Sequence, residues 1–287
     1  MEFREVIALF IKYLISMDRS IETIKGYEKD LNMINRYLIE TYNTQFYLED
    51  IKTEDLENYL YMLKDVKGYQ AASRNRHLNT MRSFYNFCIK KELLDRSPAA
   101  PIEQVRVQQK EREYPDEDEV KELVQAIDHE LIRLVVRFLF MTGLRISECL
   151  NLTLDDVDLE KKQIHVRQGK GNKDRFVPIS DKLKPLLQDY KSNKRVNTSS
   201  NYFFATKKTG RLSAVYVNRV LAETTKKLGW NKKVTAHSFR HGAASLLIKK
   251  GVSPVYVQKI LGHADLKTTS IYLHANKDQL EEAMNTL

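Results

Sequence analysis

Six side chains in the second half of the sequence combine phosphate-binding with proton-transfer chemistry. Arg145 sits in TGLRISE, just past a glycine that reads as a helix stop, where a guanidinium projects from a tight turn. Lys170 lies in GKGNK, flanked by Gly169 and Gly171, which allow a backbone to approach a ligand closely. In TAHSFRH, Thr235 reads as an N-cap that places His237 and Arg240 three apart on one helical face. LGHADL ends a helix at Gly262 and continues with His263, and Tyr272 follows nine residues later in TTSIYLH. Paired guanidiniums fork onto the non-bridging oxygens of a phosphodiester, a tyrosine oxygen attacks phosphorus, and lysine and histidine move protons. Taken singly, each residue also has an ordinary structural reading: Arg145 as a cap of the preceding helix, Lys170 as a solvated turn residue, Tyr272 as one of 15 tyrosines. The combination beside glycine-shaped turns is what points to chemistry.

In this order and at these intervals, TGLRISE, GKGNKDRFVPI, TAHSFRH, LGH and the downstream tyrosine resemble the tyrosine recombinases, the family of lambda integrase and the Xer recombinases. The resemblance spans nearly the whole chain, because the first domain is similar to that family's helical core-binding domain. It implies a catalytic group of Arg145, Lys170, His237, Arg240 and His263, with Tyr272 as nucleophile. It further implies site-specific cutting and rejoining of DNA through a 3′-phosphotyrosyl intermediate, with no cofactor and no metal. The expected partner is double-stranded DNA carrying a recombination site, bound by a homotetramer on two sites, with C-terminal segments exchanged between protomers. Lacking a further N-terminal arm-binding domain, the chain is expected to be a compact Xer-like recombinase or a transposon resolvase, with integration as another possible use.

Physical chemistry agrees with these roles. A tyrosine with a pKa near 10 is a poor nucleophile at neutral pH and needs a base and nearby cations. His237 is the expected base. Arg145 and Arg240 are expected to hold the charge that builds on the phosphate, and His263 to add a hydrogen bond. Lys170 is the expected acid for the departing 5′ oxygen, with Lys173 as second choice.

Two other readings stand beside this one. His237 and His241, four apart on a helix, form a possible metal pair completed by His263, as in a metal-dependent nuclease. Against it, Ser238 stands where H-E-x-x-H enzymes carry glutamate, and Arg145, Lys170 and Tyr272 are left without roles. The other alternative is a DNA-binding protein of the same fold without catalysis.

The elements that must position these residues are mostly helices. Phe3, Val6, Ile7, Phe10, Ile11 and Leu14 repeat at helical spacing, as do Ile24, Tyr27, Leu31, Ile34 and Leu38. Thr53 is expected to cap a third helix, and a fourth runs from about Ala71 to Lys91. One face of the fourth carries Leu78, Met81, Phe84, Tyr85 and Cys88; the other presents Arg74, Arg76, Arg82 and Lys90, the expected DNA-binding residues, which suit a DNA groove. Pro98, Pro101 and Pro115 supply half of the prolines and mark a linker. The expected organisation is a helical core-binding domain over 1–98, a linker over 99–115 and a mixed α/β catalytic domain over 116–287. The fold class is therefore mainly α with a small β component. In the second domain an acidic helix start at Asp116, an apolar helix from Leu131 to Gly143, a hairpin in KKQIHVRQGKGNKDRFVPI and three further helices are expected, with a last helix from about Lys277.

Charge fits the same division. Of 47 basic and 38 acidic residues, 28 and 13 fall in residues 131–287, while residues 66–91 hold no acid at all. Both regions suit a polyanion. No apolar run approaches the roughly 20 residues a membrane span requires. Two isolated cysteines, Cys88 and Cys149, suggest neither a disulfide framework nor a metal pair, so a cytoplasmic protein is expected.

Overall fold

The structure, a computed structural model, describes residues 1–107, 113–167 and 174–262. The chain divides into two compact units, Met1–Lys110 and Glu111–Leu287.

The first unit is built from four helices, α1 (Phe3–Ser16), α2 (Ile21–Tyr42), α3 (Thr53–Asp65) and α4 (Ala71–Lys90). The periodic residues of α1, Phe3, Val6, Ile7, Phe10 and Leu14, are all buried. They meet α4 edge to face: Phe84 lies 5.4 Å from the Phe3 ring and 5.6 Å from Phe10. Each such side chain contributes about 1.5–3 kcal/mol through the apolar surface it removes from water. Ser20 caps α2 by accepting a hydrogen bond from the Thr23 N–H, and Asn43 ends it in the left-handed conformation.

The start of α3 departs from expectation. Lys52 occupies the cap position, and the Asp55 carboxylate accepts its N–H at 2.8 Å. Thr53 is the first helical residue, and its hydroxyl donates to the carbonyl of Pro98 at 2.9 Å. The chain leaving α4 is fastened here and at further points. Ala99 and Ile102 are buried in the first core, Arg82 donates to the Ile102 carbonyl, and the Asn75 side chain bonds both polar groups of the Val105 backbone. Residues 99–105, read from their prolines as linker, are thus part of the first unit. Proline density reported the lack of regular structure, whereas the fastening depends on partners distant in sequence.

The second unit begins with α5 (Glu117–Ala126), whose cap Asp116 accepts from the N–H groups of Asp118 and Glu119. Next, α6 (Glu130–Thr142) buries Ile132, Val135, Val136, Phe138, Leu139 and Phe140, which makes it the centre of the core. A short α7 (Ile146–Asn151) follows the turn at Gly143. The sheet consists of β1 (Val157–Asp158), β2 (Gln163–Val166) and β3 (Arg175–Pro178), antiparallel throughout, with Ile164 opposite both Val157 and Val177. Ile164, Val166 and Val177 face the core while Phe176 stays 63% exposed, the alternation expected of a half-buried sheet.

Beyond the sheet lie α8 (Lys184–Asp189), continued as a π-helical turn over Tyr190–Lys194, then α9 (Ala214–Lys227), α10 (Ala236–Lys249) and α11 (Pro254–Leu261). β1, α7 and α8 are elements the sequence pattern does not announce. The first two are too short to show a period, and α8 carries Pro185 in its first turn, where a helix tolerates proline because the missing N–H would have no partner there. Between α8 and α9, Phe203 and Phe204 are buried in the core and Tyr202 bridges to Thr153. Among the described residues, no helix is long and apolar enough to cross a membrane. The expected last helix from Lys277 lies outside them.

Candidate active site

Two glycines shape the site. Gly143 ends α6 at φ +64, and a Cβ there would lie 2.4 Å from Leu261 Cδ2, so its lack of a side chain lets α11 approach the turn. Gly262 ends α11 in the same left-handed conformation, at φ +67. The first turn leads into Arg145, whose side chain reaches the second at the Gly262 carbonyl.

Arg145 occupies the N-cap position of α7. Its N–H donates to Glu148 Oε2 at 2.9 Å, its Nη1 to Glu148 Oε1 at 2.8 Å, and its Nη2 to the Gly262 carbonyl at 3.4 Å. Arg145 therefore caps the helix that follows it and not the one before, which ends at Gly143. Arg240, on α10, is 2% exposed and donates from Nη1 to the Gly143 carbonyl at 2.8 Å. The structure thus ties Arg240 to the 143–145 turn that carries Arg145.

His237 lies in the first turn of α10 and is exposed. Its ring meets the buried His241 ring edge to face, 4.6 Å between centroids. Lys170, Lys173, His263 and Tyr272 lie outside the described residues.

Glu148 and Arg175 escaped the sequence reading. Glu148 is 8% exposed, and Arg175 reaches both its oxygens, Nη1 to Oε1 at 3.0 Å and Nη2 to Oε2 at 2.9 Å. Burial alone pushes the Glu148 carboxyl up, but the bonds from Arg175 and Arg145 outweigh it and hold the group below the usual carboxylate range. Among the described residues, Arg145, Arg175 and Arg240 against Glu148 leave the cluster with two surplus positive charges. A partly buried cation cluster of this kind attracts an anion with delocalised charge, such as a phosphodiester. The signal for Glu148 was present in the sequence, three residues after Arg145, where a glutamate reaches back to the cap N–H. Arg175 gave no signal, because its partners are distant in the chain.

The four residues expected to bind DNA differ in their surroundings. Arg76 pairs with Asp30, which is fully buried and also accepts from the Thr80 hydroxyl at 3.0 Å. Arg76 Nη2 further donates to His77 Nε2 at 3.2 Å, so the His77 Nδ1–H faces the Tyr59 hydroxyl at 3.1 Å. Burial lowers the His77 pKa against the pull of Asp30, in keeping with a neutral ring. The Arg76 side chain nonetheless remains 51% exposed. Arg74 is half-buried, Lys90 is exposed, and Arg82 holds the Ile102 carbonyl, which gives it a fastening role not expected from its place on the helix.

Comparison with known proteins places this arrangement. Residues 113–279 match the model of the phage integrase family, and residues 7–92 that of the phage integrase N-terminal SAM-like domain. A tyrosine recombinase of Thermosipho africanus is 33% identical over 291 residues, covering 99% of both chains. Tyrosine recombinase XerD of Oceanobacillus iheyensis is 31% identical over 92% of this chain and 91% of its own. A crystal structure of XerA recombinase superposes with a TM-score of 0.53 at 29% identity, covering 99% of this chain and 98% of that one. Lambda integrase, crystallised as a dimer bound to a COC′ core site, shares the fold at a TM-score of 0.80 and 21% identity, over 96% of this chain and 97% of that one. A helical first unit followed by an arginine-centred α/β unit defines the class, an enzyme that acts on DNA strands. The chain belongs to the phage integrase family, the tyrosine recombinases, and is a site-specific DNA recombinase.

Proposed function

We propose that the chain cuts and rejoins DNA through a covalent link between Tyr272 and a 3′ phosphate. The Tyr272 oxygen attacks the scissile phosphorus and passes its proton to His237. The P–O5′ bond breaks, and the leaving 5′ oxygen takes a proton from Lys170. Arg145 and Arg240 hold the two non-bridging oxygens, and His263 donates a further hydrogen bond. Attack by the 5′ hydroxyl of a second strand reverses the step and frees Tyr272. The link conserves one phosphodiester bond, so the exchange needs no external energy source.

The observation that carries this reading is the bond from Arg240 to the 143–145 turn that carries Arg145, with the Gly262 carbonyl, next in the chain to His263, against Arg145. The same turn separates the reading from the metal-nuclease alternative, which gives Arg145 no task. Catalysis also separates it from a silent DNA-binding protein of the same fold.

Similarity to full-length Xer recombinases supports a compact recombinase that resolves DNA multimers or element junctions in the cytoplasm. It supports a homotetramer on two DNA sites, with the C-terminal segment of each protomer seated on a neighbour. The decisive experiment uses nicked DNA carrying the recombination site, recovered by selection from random sequence. Wild-type protein is expected to form a covalent adduct that survives EDTA, and Tyr272→Phe to form none. An adduct that persists in Tyr272→Phe overturns the assignment of the nucleophile, and one abolished by EDTA overturns the metal-free chemistry.

A further inference from the structure

Arg175 stands on β3, five residues after Lys170 in the chain, and is not one of the six residues of the proposed reaction. Its side chain is only 13% exposed. It binds two different elements: both oxygens of Glu148 on α7, and through Nε the carbonyl of Ile260 on α11, at 3.2 Å. Gly262 lies so close to the same guanidinium that a Cβ would stand 2.9 Å from Cζ. Glu148 in turn fixes the Arg145 backbone and Nη1, and Gly262 accepts from Arg145 Nη2. Among the described residues, Arg175 thus bonds one anchor of the Arg145 guanidinium, Glu148, and lies against the other, Gly262, while holding the Ile260 carbonyl two residues before it.

Charge balance alone does not account for this. Arg145 already supplies Glu148 with one countercharge, and a second guanidinium on the same carboxylate leaves an excess of one in a poorly hydrated place. Such an excess is costly until an anion arrives. Resting on the reading that Arg145 holds the scissile phosphate, we infer that Arg175 is a positioning residue for strand cleavage. Its fork on Glu148 and its bond to Ile260 set the orientation of Arg145, and its charge keeps the site cationic for the phosphate.

The test compares Arg175→Lys with wild type for melting temperature, affinity for the selected site, and single-turnover cleavage of nicked DNA. Cleavage is measured on an ordinary phosphodiester and on a methylphosphonate, whose reacting centre lacks the charge that Arg145 neutralises. Arg175→Lys keeps the charge and loses the fork. Near-wild-type melting and affinity are expected, with phosphodiester cleavage slowed on the order of 100-fold, as for misplacement of a reacting group by about 1 Å, and a much smaller loss on the methylphosphonate. Equal losses on both substrates, or no loss, overturn the inference. Arg175→Gln is the second variant; if neither variant folds, Arg175 is a determinant of folding and the inference falls. Arg145→Lys is run alongside: wild-type cleavage by that variant defeats the reading of Arg145 itself, whereas its inactivity beside a fully active Arg175→Lys defeats the inference alone.

Discussion

Arg240 Nη1 donates to the Gly143 carbonyl at 2.8 Å, so a side chain of α10 is tied to the turn that aims Arg145. The turn itself depends on Gly143 having no Cβ, because both its φ of +64 and the closeness of Leu261 exclude one. Gly143→Ala is expected to destabilise the protein by about 2 kcal/mol or more, from left-handed strain and overpacking together. Urea unfolding measures this. Combination with Leu261→Ala should give less than the sum of the two single effects, because the smaller residue removes the clash and leaves only the backbone strain.

Glu148 makes stability pH-dependent. Its pKa is lowered in the folded protein from an ordinary value of 4.5, so its contribution is fully present above that value and is lost as pH falls through the folded pKa. Melting temperature followed downward from pH 7 should therefore drop more steeply below about pH 4.5 in wild type than in Glu148→Gln. Parallel curves would show that the Arg175 and Arg145 bonds do not favour the charged form.

Asp30 gives Arg76 two separable tasks. Arg76→Ala leaves a fully buried carboxylate without its cation, and a loss of about 1–3 kcal/mol is expected in urea unfolding, partly restored by adding Asp30→Asn. The exposed part of the guanidinium is expected to meet a DNA phosphate. The slope of log affinity against log salt should then fall by about 1 in Arg76→Ala, also when Asp30→Asn is present. An unchanged slope would confine Arg76 to the fold.

Removal of residues 278–287 separates assembly from binding. Leu280, Ala283, Met284 and Leu287 recur at helical spacing and suit a pocket on a neighbouring protomer. The truncated chain should bind a single site with near-wild-type affinity and fail to pair two sites or recombine them. Unchanged recombination would assign the segment no part in assembly.

Much of the fold was legible because helices announce themselves locally. The periods in α1 and α2, the acids at the start of α5 and the glycines after α6 and α11 all act within one or two turns of the residues concerned. The short elements β1 and α7 lacked that length, and Thr53 misled because Lys52 and Asp55 close the helix start while Thr53 bonds to Pro98, 45 residues away.

The sequence by itself determined the helical character of both units, the positive charge of the second, and the ordered motifs that carry Arg145, His237 and Arg240. These depend on residue type and spacing. Tertiary structure alone decided that Arg175 would join the local pair of Arg145 and Glu148, that Arg240 would reach the Gly143 carbonyl, that Arg76 would stand over a buried Asp30, and that residues 99–105 would pack on the first unit. Each of those relations links positions from 20 to almost 100 residues apart or depends on a network that does so, and only the packing of helices and strands around a common core brings such groups within hydrogen-bond distance.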